Sequence, residues 1–124
     1  MEDNEMVTGL IARGDETEKI KTYVSFCEIY SEIMGLMRYN KGKAQAEALK
    51  LARKMTQIGF KLMVLAPDDV VHSFLKYQAI AGEGGDAITT VTAYGQVLLE
   101  IRKDMVPETT VDIETVMDVF PLEG

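Results

Sequence analysis

The side chains able to do chemistry are few, and each lacks a partner that its chemistry needs. His72 is the single histidine. A metal site would want a second His or Cys one helical turn away, and none is spaced that way. As a general base it would need an orienting group that spacing does not supply. Cys27 is the single cysteine, so no internal disulfide forms. It falls on an apolar stripe, which predicts a small buried hydrophobe rather than a reactive thiolate. Gly82-Glu83-Gly84-Gly85 precedes a helix, as a phosphate cradle does. Yet Asp86 stands where a Lys and a Ser/Thr would follow, and Glu83 lies inside the loop, so both would repel an anion. The acids Asp68, Asp69, Glu100, Asp104 and Glu108 suggest acid–base or divalent-metal work. Asp68 and Asp69 fit a helix N-terminus. Glu100 and Asp104 are spaced i, i+4, half of a di-metal set whose Glu-x-x-His half is missing. The sequence therefore names no catalytic residue, no metal ligand and no cofactor site.

Charge gives a stronger pattern than any motif. The net charge of −7 argues against nucleic-acid binding, which depends on neutralising phosphates. Residues 1–37 hold eight acids and three bases, 38–66 seven bases and one acid, and 67–124 eleven acids and three bases. A basic stripe thus lies between acidic segments. Arg38, Lys41, Lys43, Lys54 and Lys61 are its candidate partner-contact residues. They are expected to steer pairing with acidic helices. Docking to an acidic protein is the functional alternative, and a weaker one is peripheral contact with anionic lipid through Arg38, Lys41 and Lys43.

The elements that position these groups are helices. Residues 1–14 read as a flexible arm because Gly9 and Gly14 weaken a helix. Residues 15–124 read as a single helical domain, beginning with a capping box at Asp15 and Glu18. The first helix runs to about Tyr39 with two stripes: Ile20, Tyr23, Cys27, Tyr30, Met34 and Met37, then Phe26, Ile29, Ile33 and Leu36. That is more apolar surface than one neighbouring helix covers. Asn40-Lys41-Gly42 suits a turn. The second helix, about Lys43 to Leu65, carries Ala48, Leu51, Met55, Ile58, Leu62 and Leu65 at 3, 4, 3, 4, 3 spacing. Equal lengths and a short link predict an antiparallel hairpin with a coiled-coil-like seam.

Pro67 opens a short third helix ending near Ala81, with Val70, Val71, Phe74, Leu75 and Tyr77 for packing. A fourth runs from about Asp86 to Met105, striped by Ile88, Val91, Tyr94, Leu98, Ile101 and Met105. A short C-terminal helix is expected over Asp112–Phe120. The fold class is all-α: a helical bundle built on a long antiparallel helix hairpin, with two shorter helices and a C-terminal helix packed across it.

Leu65-Ala66-Pro67-Asp68-Asp69-Val70-Val71, a short helix, a glycine and acidic loop, then Leu98-Leu99-Glu100-Ile101-Arg102-Lys103-Asp104-Met105 resembles an uncharacterised group of bacterial all-helical domains. The resemblance covers about the last two thirds of the chain. It implies a helical fold and bacterial, cytoplasmic placement, and brings no activity with it. It also implies a structural ion pair in which Arg102 or Asp104 ties the end of the fourth helix to Asp68 and Asp69.

No run of about 18 apolar residues is present, so no membrane span is expected, and the acidic residues 1–16 do not read as a signal peptide. The expected function is a non-enzymatic helical interaction or regulatory module whose partner is a protein, itself or another, with a homodimer favoured by the surplus apolar face. The rival is a small helical enzyme or ligand binder with a site between helices around Tyr23, Tyr30, His72 and Glu100.

Overall fold

The structure is a computed structural model. It describes the backbone of residues 2–39, 44–84 and 86–120, and the side chains of 16–34, 46–84 and 86–120. The fold is all-α: α1 is Glu2–Tyr39, α2 Ala44–Leu65, α3 Asp68–Gly82, α4 Ala87–Met105 and α5 Ile113–Met117. No strand occurs among the described residues. The expected helical domain resolves into two compact units, Met1–Ala66 and Pro67–Gly124. The division falls at Ala66-Pro67, where the proline ring disfavours α backbone in the preceding residue and ends α2.

In the first unit α1 and α2 pair as an antiparallel hairpin. The direction follows from cross-helix neighbours, since Glu32 meets Lys54 while Ser25 and Lys61 line one groove. α2 packs as its inner stripe predicts: Met55, Ile58 and Leu62 are buried, and Leu51 and Leu65 half-buried. Ala48, at the start of that stripe, is exposed.

α1 departs from expectation twice. It begins at Glu2, so Asp15 lies inside the helix and not at its cap. Each of the two glycines costs about 1 kcal/mol against Ala, but adding a turn to an existing helix needs no new nucleus. Its buried face is also the second stripe. Phe26 and Ile29 are buried and Ile33 is half-buried, and of the first stripe Tyr23 is buried beside them and Tyr30 and Met34 half-buried, whereas Ile20 and Cys27 are exposed. The bulkier Phe and Ile side chains remove more apolar area from water than Cys does, and they win the core-facing side. Thr22 is buried beside them, its hydroxyl donating to the Glu18 carbonyl at 2.7 Å.

In the second unit α4 is flanked by α3 and α5. This explains why Ala93, Tyr94, Gly95, Val97, Leu99 and Ile101 are all buried, more of the circumference than one stripe. Tyr94 makes edge contacts with Tyr77 of α3, ring centroids 5.4 Å apart, and with Phe120 beyond α5, at 6.1 Å. Edge geometry suits the ring quadrupoles. Asp86 and Asp112 cap their helices with side-chain acceptors, whereas Pro67, expected in the first turn of α3, stands just before it. Pro67 caps α3, its carbonyl accepting from the Val70 and Val71 N–H groups at 3.0 and 3.1 Å. The Asp86 carboxylate accepts from the Thr89 N–H at 2.7 Å, and that of Asp112 from the Thr115 N–H at 2.9 Å. α5 is shorter than expected, with turn hydrogen bonds carrying the chain from Met117 to Phe120. Between α3 and α4, Gly84 takes φ 69°, a left-handed value that glycine adopts without strain.

Candidate functional site

Of the basic candidates, Lys54 reaches across the hairpin. Its Nζ lies 3.0 Å from the Glu32 carboxylate on α1. Both side chains are about half exposed, so the pair contributes at most about 1 kcal/mol. Lys54, Lys61, Glu28 and Glu32 line one groove between α1 and α2, about 240 Å³ in volume. Lys50 bridges Glu47 one turn away at 3.6 Å. Lys50 and Lys54 therefore meet carboxylates of their own hairpin, and Lys61 lines its groove. Arg38 lies in α1, its side chain outside the described residues, and Lys41 and Lys43 lie outside them altogether.

Arg102 has a partner that the sequence reading did not name. Its Nε donates to Thr109 Oγ1 at 2.8 Å, tying the last turn of α4 to the segment after it. Thr109 Oγ1 in turn accepts from the Val111 N–H at 3.2 Å, so one hydroxyl pins both sides of the Pro107 turn. Asp68 and Asp69 are exposed in the first turn of α3, and Asp104 is half-buried near the end of α4. Thr109 is a residue nothing in the spacing singled out.

The enzyme-type candidates lie on α1, α3 and α4. His72 is exposed on α3. Glu100 is fixed by Gln96, whose amide donates at 3.1 Å, and by Lys103 at 3.3 Å. Tyr23 is buried and Tyr30 half-buried on α1. Among the described residues no three His, Cys, Asp or Glu side chains form a metal-binding group. A second groove of about 350 Å³, between α3 and α4, has Lys76 as its one charged side chain, set among Ile80, Ile88, Thr92 and Gln96. Cys27 is exposed, contrary to the buried role expected. Partial withdrawal from water pushes its thiol pKa up, and the Glu28 carboxylate adds to the rise, so it is held as the thiol.

The feature the sequence reading passed over lies on the outer face of α2. Leu49, Phe60, Met63 and Val64 are 58%, 70%, 58% and 80% exposed. With Arg53 and Thr56 they form a second stripe, 49, 53, 56, 60 and 63, spaced 4, 3, 4, 3. At 100° per residue it lies roughly 160° from the stripe that packs on α1. α2 carries two heptad seams and the hairpin uses one. The signal was present in the spacing, but Arg53 and Thr56 interrupt the apolar run and conceal it from a hydrophobicity reading.

Comparison of the chain with family models, curated proteins and solved structures found no match. No helix among the described residues is long and apolar enough to cross a membrane.

Proposed function

We propose that the protein is a non-enzymatic helical interaction module, working in a bacterial cytoplasm, whose contact surface is the outer face of α2. The observation that carries this reading is the alignment of Leu49, Phe60, Met63 and Val64 along one face of one helix. Single exposed apolar side chains are normal on a soluble protein, whereas several aligned on one helix face mark a contact site. The potentially reactive groups support the same reading. Glu100 is occupied by Gln96 and Lys103, and Cys27 is held as a thiol.

Gel filtration of gently prepared extracts tests it. The chain is expected to migrate well above 13.8 kDa, and Phe60→Ser to return it to the monomer position. Identical migration of the two proteins at monomer size contradicts the reading.

A further inference from the structure

We infer that the occupant of the outer α2 face is the same face of a second copy, in antiparallel register centred on Thr56. This rests on the interaction reading above and names its partner.

Charge decides between partners. An acidic helix would be drawn to bases in the seam, but those beside it are engaged in the hairpin or turned towards its groove. Lys50 bridges Glu47, Lys54 bridges Glu32, and Lys61 lines the groove between α1 and α2. Arg53 alone stands in the seam itself, exposed among apolar neighbours. A face so arranged asks for apolar area and one cation acceptor.

The stripe supplies both to its own copy. Leu49 and Met63 each lie seven residues from Thr56, so an antiparallel pair sets Leu49 against Met63 of the second copy, and Arg53 and Phe60, three and four residues from it, come within one residue of level, about 1.5 Å along the helix. Arg over an aromatic face is a favourable cation–π contact. Thr56 meets itself at the centre. On one flank Lys50 comes within two residues of level with Val64, and on the other Ala52 within one of Gly59, two small residues that let the backbones approach. A parallel pair would set Arg53 against Arg53 and Lys50 against Lys50, and like charges across a seam are destabilising. The antiparallel pair, unlike the parallel one, sets no like charges against each other in the seam. From residue 49 to 64 it spans roughly 22 Å of helix, a short seam that suits a reversible dimer.

The test uses the purified full chain. Sedimentation equilibrium from about 1 to about 300 µM brackets the affinity of so short a seam. Wild type is expected to move from monomer to dimer, and Phe60→Glu to weaken the dimer roughly 30-fold or more, as loss of a central aromatic anchor does. Register is read in a Cys27→Ser background under mild oxidation. Thr56→Cys is expected to cross-link to itself. Leu49→Cys is expected to cross-link with Met63→Cys in a mixture and not with itself. Self-cross-linking of Leu49→Cys would establish a parallel pair and overturn the register. A dimer unaffected by Phe60→Glu would place self-association elsewhere and overturn the inference. A wild-type monomer throughout the range also overturns it. If the extract complex nonetheless depends on Phe60, the face serves another protein and the interaction reading stands without this one.

Discussion

The two units spend their apolar residues differently. The α3–α5 unit closes its core around Tyr94, which is flanked by Tyr77 and Phe120 and sealed by caps at Asp86 and Asp112. Its exposed large apolar residues, Leu75, Ile88, Met105 and Val119, sit singly on separate segments or at opposite ends of α4. The α1/α2 hairpin buries one seam and leaves a second along the opposite side of α2. A closed core contributes stability to the monomer, whereas an exposed seam contributes only when something covers it. The same residue types thus have opposite consequences in the two units, and substitution separates them.

The largest contrast is between aromatic residues. Tyr94→Ala is expected to cost about 3–5 kcal/mol in urea unfolding, the usual loss for a buried aromatic truncated in a packed core. Phe60→Ala, measured below the association range, is expected to change stability by less than about 0.5 kcal/mol, as for a surface site. Comparable losses would mean that the outer face of α2 is buried in the monomer, and the contrast would collapse.

Next is the close approach of α4 and α5. A Cβ at Gly95 would lie 2.8 Å from the Met117 sulfur, with Val116 and Ile113 at 3.5 and 3.6 Å. Gly95→Leu is expected to overpack this contact and cost about 1–3 kcal/mol. Gly95→Ala in a Met117→Ala background is expected to recover most of that loss, because the near sulfur is gone and Ala favours the helix. If Gly95→Leu were as stable as wild type, α5 would not be a fixed part of the unit.

The two caps give the second unit an acid sensitivity of its own. Thr89 N–H and hydroxyl hydrogen bonds hold the Asp86 carboxyl below its ordinary value, and Thr115 does the same for Asp112. A carboxylate whose folded pKa is depressed stabilises above its unfolded pKa, about 3.9, and loses that contribution as pH falls through the folded value. Asp86→Ala is therefore expected to lower Tm at pH 7 and to match wild type well below pH 3.9. A Tm difference that persisted undiminished in acid would remove the cap from the account.

The smallest effect concerns the hairpin thiol. With its pKa raised, Cys27 is expected to react with iodoacetamide more slowly than a free cysteine at neutral pH. Glu28→Gln removes the nearby negative charge, lowers the pKa and should speed alkylation modestly. No change in rate would leave withdrawal from water as the whole cause.

What the sequence revealed follows the same division. The inner stripe of α2, the proline start of α3 and the helix start at Asp86 were legible because local chemistry dictates them: heptad spacing, a missing N–H, a side-chain acceptor. The choice between two apolar stripes on α1 was not, because Cys27 and Phe26 both satisfy a helical period and only packing ranks them. The Arg102–Thr109 bond was hidden because it depends on how the chain turns at Pro107. The outer seam of α2 was hidden because a cation and a hydroxyl occupy two of its five positions, and a cation is welcome in a seam only opposite an aromatic ring.

The central claim is that the outer face of α2 is covered by protein in the cell. A photo-cross-linking phenylalanine analogue at position 60, illuminated in living cells, reads this directly, with the exposed Lys76 of α3 as the control position. The account predicts a discrete adduct from position 60, at twice the chain mass for the second copy, and none from position 76. Equal, diffuse labelling from both positions would contradict it.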